Sequence, residues 1–207
     1  MNGTRTKLVV ATSNRGKLAE FRTLLGDLPV DLVAASEVLG EGWSVVEDGE
    51  TFEDNAIKKA TEVASQAKLL TLADDSGLEV DALGGAPGIR SARYAGEQAT
   101  SKQNVHALLS ALEGVPDRER QARFRCVLCV VDPLSDGQEL VLAHGTCEGR
   151  IARAPRGTEG FGYDPVFVVE GGERTMAELT AEEKGQVSHR ARTVMGLRRK
   201  LERLVCR

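Results

Sequence analysis

Short apolar segments alternate with amphipathic segments along this 207-residue chain, and that alternation restricts its fold more than any other feature. Strands are predicted at Lys7–Thr12, Asp31–Ala35, Leu69–Ala73, Gln121–Val131, Glu139–Glu148 and Val166–Val169. Helices are predicted at Lys17–Leu25, from Thr51, at Ser101–Leu112 and from Ser188. The pattern is typical of an α/β fold, in which helices cover a β-sheet. The short, turn-rich segment Asp132–Gln138 favours antiparallel pairing of the two long strands that it joins.

Helix starts are marked by two capping-box patterns, in which a Thr is followed three residues later by an acidic residue. One is Thr51 with Asp54, where Asp replaces the usual Glu, and the other is Thr180 with Glu183. No linker-like composition interrupts the chain. We therefore expect a single domain over residues 1–207, with residues 1–6 as a flexible N-terminus.

Composition and charge exclude several classes of protein. Twenty-seven basic residues against 31 acidic ones give a net charge of −4, which excludes a globally basic nucleic-acid coat protein. The longest strictly apolar run, Cys126–Val131, is far shorter than the about 20 residues of a membrane helix. The apolar stretch Leu8–Ala11 is too short for a signal-peptide core. We expect a soluble, cytoplasmic protein with neither a membrane nor a nucleic acid as partner.

Four cysteines are too few and too irregularly spaced for a disulfide framework. Cys126 and Cys129 form a C-x-x-C pattern, but they fall within a predicted buried strand. An offset of three places their side chains on opposite faces of a strand. Packing is therefore favoured over a redox or zinc site.

Two segments have the composition of a phosphate and metal site. Residues 12–17, Thr-Ser-Asn-Arg-Gly-Lys, form a strand-to-helix turn with hydroxyls, backbone N–H groups and a lysine, which suits a phosphate. A capped turn with solvated charges fits this segment as well. Acidic residues Glu47, Asp48 and Glu50, with the pair Asp74-Asp75 at a predicted strand end, are hard oxygen ligands that suit Mg²⁺. The alternative for the pair is an ordinary D-D-S-G turn whose two carboxylates point in opposite directions.

Two further segments could bind the rest of a nucleotide. Lys59 lies with Asn55 and Glu62 at one edge of the predicted buried helix face, although an isolated lysine is more typical of a solvated face. Phe161 and Tyr163 flank Gly162 in a glycine-rich loop, and exposed rings there could stack on a base. The alternative is that both rings fill an edge of the core. Hydrogen-bonding direction would come from Asp164, Lys184 and Arg190. Together the four segments indicate a nucleotide enzyme.

Six ordered motifs carry a resemblance to a known family. They are T-S-N-x-G-K at 12–17, E-D-G-x-T-F at 47–52, N-A-x-x-K-A at 55–60, A-D-D-S-G-L-x-V-D-A-L-G-G-A-P-G at 73–88, G-F-G-Y-D-P at 160–165 and E-L-T-x-x-E-K followed by S-H-R at 178–190. From about Leu8 to Leu204 the chain resembles the inosine triphosphate pyrophosphatase family, the dITP/XTP pyrophosphatases. Two departures, Asp54 for Glu and Arg90 for an aromatic residue, affect local packing only.

The resemblance implies an elongated mixed β-sheet flanked by helices, two lobes with a cleft between them, Mg²⁺ dependence and a homodimer. It implies hydrolysis of non-standard purine nucleoside triphosphates such as ITP, dITP and XTP to the monophosphate and pyrophosphate. The implied catalytic carboxylates are Asp75 and Asp74, and the implied metal ligands are Asp75 and Glu47. The implied triphosphate contacts are Thr12, Ser13, Asn14, Arg15, Gly16, Lys17, Lys59 and Ser76. The implied base-recognition set is Phe161, Gly162, Tyr163, Asp164, Lys184, His189 and Arg190.

Three alternative functions also fit parts of the sequence. A Maf-like nucleotide pyrophosphatase is disfavoured by the G-F-G-Y-D-P and S-H-R motifs. A nucleotide-binding regulator without catalysis is disfavoured by the presence of Lys17, Glu47, Asp74 and Asp75. A thiol redox protein is disfavoured by the spacing of Cys126 and Cys129.

Overall fold

The computed structural model describes residues 5–135 and 139–205. The expected flexible N-terminus therefore falls outside the described residues at positions 1–4, and so do Cys206 and residues 136–138 of the connection between the long strands. Thr6 already belongs to the first strand, and its Oγ1 donates a hydrogen bond to the carbonyl oxygen of Val205 at 3.0 Å.

Six strands form one mixed sheet within the described part of the chain. They are β1 (Thr6–Ala11), β2 (Val30–Ala34), β3 (Thr71–Val80), β4 (Gln121–Asp132), β5 (Glu139–Ile151) and β6 (Phe167–Val169), in the order β2-β1-β3-β4-β5-β6. β1 pairs in parallel with β2 and with β3, while β5 and β6 are antiparallel. The parallel half is the part of the chain in which helices connect successive strands, as the sequence pattern predicts.

Helices flank this sheet, which confirms the expected α/β class. They are α1 (Arg15–Leu24), α2 (Ala35–Leu39), α3 (Phe52–Ala67), α4 (Ser101–Ala111), α5 (Ala181–Val187) and α6 (His189–Val205). Both predicted capping boxes form, at Thr51 with Asp54 and at Thr180 with Glu183. Ser188 Oγ accepts the backbone N–H of Ala191 at 3.2 Å and so caps α6 as expected. The one-turn helix α2 was not predicted, because five residues are too few for a helical period to show.

The prediction that a strand ends before Asp74 is wrong. β3 runs on through Asp74, Asp75, Ser76 and Gly77 to Val80, so the acidic pair lies in the middle of a strand and not in a D-D-S-G turn. Both carboxylates are buried, and each has a lysine partner from a helix. Extended backbone is therefore maintained where the local sequence alone favours a turn.

The chain divides into two compact units, each with its own apolar core. The first comprises the described parts of Met1–Asp75, Val127–His144 and Thr193–Arg207, and its core packs the alanine-rich face of α3 against β1 and β4. The second comprises Ser76–Cys126 and Gly145–Arg192, and its core includes Leu108, Phe124 and Phe167. None of the helices described in either unit has both the length and the apolar character needed to cross a membrane.

Candidate active site

Lys59 holds two carboxylates in the first unit. Its Nζ lies 2.6 Å from Glu47 Oε1 and 3.0 Å from Asp75 Oδ1. Lys59 is 6% exposed and Asp75 is 6% exposed, so the solvated-face interpretation of Lys59 is wrong. The helical register of α3 directs Lys59 towards the middle of β3, where the long side chain reaches a buried charge that local sequence does not reveal.

Burial and charge act in opposite directions on this pair. Burial favours the neutral form of Asp75 and raises the pKa of its carboxyl, against the lowering effect of Lys59 and Lys17. Burial alone would lower the pKa of Lys59, but the charges of Asp75 and Glu47 outweigh it and the pKa of the ammonium is raised. Asp75 is therefore a more basic carboxylate than an exposed one, beside a lysine that stays protonated.

Asp74 and Asp75 serve different partners, as expected for adjacent positions on a strand. Asp74 is 1% exposed and forms an ion pair with Lys17, which α1 supplies. Glu47, Asp74 and Asp75 with Lys17 and Lys59 are called the carboxylate cluster below. Three carboxylates against two ammonium groups leave it with one excess negative charge.

The turn before α1 is organised by Asn14. Its side-chain oxygen accepts the backbone N–H groups of Gly16 at 2.8 Å and Lys17 at 3.1 Å, while its own N–H donates to Thr12 Oγ1 at 3.1 Å. The capped-turn interpretation is therefore correct for the backbone. Ser13, Asn14 and Arg15 remain exposed, so hydroxyl, amide and guanidinium groups are available at this turn.

Asn55 belongs to the same site and was not among the predicted site residues. Its amide nitrogen donates to Asp75 Oδ2 at 3.4 Å, and its oxygen accepts the Gly49 N–H at 2.8 Å. The sequence carries a signal for it, because Asn55 lies four residues before Lys59 on one helix and such residues share a face.

A second group of predicted residues comes together in the second unit. Lys184 Nζ lies 2.5 Å from Asp164 Oδ2, and the same oxygen accepts the Phe161 N–H at 2.9 Å. Lys184 and Arg190 both face the half-buried Phe161 ring, at 5.0 and 5.8 Å from its centroid. Phe161, Asp164, Lys184 and Arg190 are called the aromatic-loop cluster below. This cluster contains two cations and one carboxylate.

The remaining predicted residues of this unit lie around that cluster. Arg190 is 1% exposed, and its guanidinium donates to Ser76 Oγ at 3.0 Å. His189 is buried, with its ring stacked on Phe124 at 4.7 Å between centroids. A buried Arg normally needs several partners to offset its desolvation, and the Ser76 contact fixes one edge of the guanidinium.

The expectation of an exposed Tyr163 ring is wrong. Tyr163 is 4% exposed within the core of the second unit, and its hydroxyl donates to the Ser91 carbonyl oxygen at 2.9 Å. Burial raises the pKa of that hydroxyl, so it stays a neutral donor. Gly160 and Gly162, with φ of +75° and +62°, turn the loop so that Phe161 and Tyr163 have different environments.

The carboxylates of Glu47 and Asp75 have the hard oxygen atoms that Mg²⁺ prefers as ligands. Mg²⁺ usually takes one or two protein carboxylates and completes its coordination with water and substrate phosphates. Glu47 and Asp75 are two such carboxylates, and they lie close together because both contact the ammonium group of Lys59. Over residues 5–135 and 139–205 no three His, Cys, Asp or Glu side chains gather into a larger ligand set. Glu47 and Asp75 can therefore supply two carboxylate ligands to a divalent cation.

Comparison with known proteins gives consistent matches over nearly the full chain. The sequence profile of the Ham1 family matches residues 8–200. The dITP/XTP pyrophosphatase of Shouchella clausii is 49% identical over 196 residues, which are 95% of this chain and 96% of that protein. The dITP/XTP pyrophosphatase of Shigella flexneri is 52% identical over 188 residues, covering 91% and 94%. The structure of a HAM1 protein from Coxiella burnetii superposes with a TM-score of 0.82 at 42% identity, covering 95% and 98%.

Proposed function

Because this chain belongs to the Ham1 family, we propose that it hydrolyses non-standard purine nucleoside triphosphates such as ITP, dITP and XTP to the nucleoside monophosphate and pyrophosphate. Relatives named dITP/XTP pyrophosphatase match it over more than nine-tenths of its length. The observation that carries the proposal is a buried carboxylate, Asp75, held by Lys59 beside Glu47.

Asp75 is the proposed base. Attack on a phosphorus atom requires an oriented water that loses a proton, and a positioned carboxylate can accept it. Asp75 is only 6% exposed, so its carboxylate is held away from bulk solvent. Lys59 donates to Oδ1 and so limits the rotation of the carboxyl group. Both effects support Asp75 as the group that orients and deprotonates water.

Lys17 and Lys59 are the proposed contacts of the triphosphate, together with Thr12–Gly16 and Ser76. Phosphoryl-type transfers depend mainly on electrostatic stabilisation of the charge on phosphate oxygens, which ammonium groups supply. A polyanion would still be repelled by the excess negative charge of the carboxylate cluster. Mg²⁺ held by Glu47 and Asp75, when bound, supplies the positive charge that reverses this sign. Substrate binding is therefore expected to require the divalent cation.

The aromatic-loop cluster is the proposed base-recognition set, with His189 beside it. A purine can stack on the face of Phe161, an interaction worth about 1–3 kcal/mol per base. Lys184 can only donate hydrogen bonds, so it suits the 6-oxo acceptor of hypoxanthine or xanthine and not the 6-amino donor of adenine. Asp164 fixes the ammonium group from the other side at 2.5 Å. A site built on donors penalises a base that presents another donor.

Homodimerisation and a cytoplasmic location complete the proposal. The homodimer is proposed from the family resemblance, and analytical ultracentrifugation of the purified chain tests it directly. Free thiols at buried Cys126, Cys129 and Cys147 are consistent with a reducing compartment. Burial raises the pKa of Cys129 to about 12, which makes that thiol unreactive and disfavours a redox function.

The deciding experiment incubates the purified chain with ITP, XTP, GTP or ATP and Mg²⁺ and identifies the products. Pyrophosphate and monophosphate are expected from ITP and XTP, with much slower turnover of ATP. Release of orthophosphate from the γ position, or equal rates on ATP, would contradict the proposal. Tight ITP binding without hydrolysis would indicate a nucleotide-binding regulator instead.

A further inference from the structure

Asn55 is almost completely buried, at 2% exposure, in the first turn and a half of α3. Its side-chain amide is used at both ends. The oxygen accepts the N–H of Gly49, in the segment that carries Glu47, and the nitrogen donates to Asp75 on β3. One side chain therefore connects Asp75 with the segment that carries Glu47, although these two predicted metal ligands lie 28 positions apart in the sequence.

The two oxygens of Asp75 are divided between two residues of α3. Lys59 Nζ lies 3.0 Å from Oδ1, and Asn55 Nδ2 lies 3.4 Å from Oδ2. Positions i and i+4 of a helix face the same direction, so a rigid element presents both donors. Two donors on different oxygens restrict rotation of the carboxyl group about its Cβ–Cγ bond more than Lys59 does alone.

The orientation of the Asn55 amide is itself determined. Only the amide oxygen can accept the Gly49 N–H, and this leaves the NH₂ group facing Asp75. Gly49 permits the contact, because a Cβ there would lie 2.7 Å from Asp54 Cβ and 2.8 Å from Asn55 Oδ1. The approach of this segment to α3 is thus closer than any other residue type allows.

We propose that Asn55 is a positioning residue for the hydrolysis reaction: it sets the rotation of the Asp75 carboxylate and ties it to the segment bearing Glu47. The inference rests on the proposed function, since it assigns Asp75 to the reacting water. In this role Asn55 does not contact the substrate. Loss of the amide donor should therefore lower kcat and leave KM for ITP nearly unchanged.

Two substitutions separate the two hydrogen bonds. Asn55→Asp keeps an oxygen for the Gly49 N–H but removes the donor to Asp75, whereas Asn55→Ala removes both. Loss of the donor is common to the two variants, so a shared fall in kcat does not depend on the charge that Asp introduces. The expected fall is about 10- to 100-fold, the usual effect of losing a group that orients a site residue. Hydrogen exchange at the Gly49 amide should accelerate in Asn55→Ala only.

Asn104→Asp is the matched control. Asn104 is 5% exposed on α4 and also uses both amide atoms, accepting from Ala95 N–H and donating to the Ala92 carbonyl oxygen. It makes those contacts within the second unit. A lower melting temperature with unchanged kcat per folded molecule is expected for Asn104→Asp.

The outcomes are distinguishable. A fall in kcat at near-constant KM in both Asn55 variants, with Gly49 still protected in Asn55→Asp, supports the inference. Wild-type kcat in folded Asn55→Asp, or losses that merely follow the folded fraction as in the control, would overturn it while the proposed function stands. A wild-type chain that does not hydrolyse ITP would overturn the proposed function itself, and the positioning role with it.

Discussion

The carboxylate cluster and the aromatic-loop cluster both contain buried Lys–Asp pairs but have opposite charge balances. In the first, Lys17 and Lys59 are outnumbered by three carboxylates. In the second, Asp164 is outnumbered by Lys184 and Arg190, which also face the Phe161 ring. Each cluster belongs to a different compact unit of the chain.

The sign of the excess charge indicates what each cluster can bind. Moving charged groups out of water costs free energy. A buried charge without an opposite charge beside it therefore needs further hydrogen-bonding or ionic partners. An excess of carboxylate favours a cation, and an excess of donors favours an electron-rich acceptor. The same Lys–Asp pairing can therefore take part in two different tasks, and the substitutions below test each cluster.

The largest effect is expected for Asp75→Asn in the carboxylate cluster. The amide keeps the shape of the side chain but cannot accept a proton from water, so kcat on ITP should fall by about 10²–10⁴-fold. Circular dichroism should show an intact fold. Asp81→Asn is the control, because Asp81 is a half-exposed carboxylate paired with Arg123 and should retain full activity. Turnover by Asp75→Asn at the wild-type rate would remove Asp75 from its role.

Lys184→Met is expected to cause the next largest effect, on both stability and discrimination. It leaves Asp164, 3% exposed, without its ammonium partner, and breaking a buried pair in this way costs about 3–5 kcal/mol. Chemical denaturation measures that loss, and the ratio of kcat/KM for ITP over ATP should fall because the donor to the 6-oxo group is gone.

Lys58→Met provides the comparison for that prediction. Lys58 pairs with Asp48 at 2.6 Å, but Asp48 is largely exposed. Solvent screens such a pair, so the free energy of unfolding should change far less than in Lys184→Met. Equal losses of unfolding free energy in the two variants would show that burial does not make the Lys184–Asp164 pair stronger than the exposed Lys58–Asp48 pair.

The difference between the two clusters also explains which features the sequence could predict. Local rules located the capping boxes at Thr51 and Thr180, because the residues that interact there are three positions apart. They did not predict that β3 continues through Asp74 and Asp75. In that continuation Asp74 pairs with Lys17, 57 positions away, and such a partner leaves no local pattern.

Local sequence also does not show which site residues are buried. Lys59 resembles a solvated lysine until the position of Asp75 is known, and Tyr163 resembles a loop aromatic until the Ser91 carbonyl is placed beside its hydroxyl. Motifs predict which residues belong to the site, whereas the structure shows whether each charge or ring is exposed. Asn55 illustrates the gap: it was within a recognised motif, yet its task depends on Gly49 and Asp75 together.

Gly160→Ala and Gly162→Ala should separate backbone strain from damage to the aromatic-loop cluster. Both glycines have left-handed φ, so an alanine at either position costs about 1–2 kcal/mol. At Gly160 the new Cβ would also lie 2.1 Å from Asp164 Oδ2, whereas at Gly162 nothing lies within 4 Å. Gly160→Ala should therefore lose more stability and also discriminate poorly between ITP and ATP. Equal effects in melting and specificity assays would contradict the close approach.

The smallest effect concerns the cap of α5, the helix that carries Lys184. Glu183 accepts hydrogen bonds from Arg174 and from the Thr180 backbone, and these lower the pKa of its carboxyl to about 2. A lowered pKa in the folded state means that the ionised group stabilises the fold above its ordinary value near 4.5 and that this contribution disappears as the pH falls towards 2. Glu183→Gln should therefore melt below the wild type at pH 7, and the difference should shrink steadily in melts at lower pH. A difference that stays constant with pH would show that Glu183 stabilises α5 by something other than its charge.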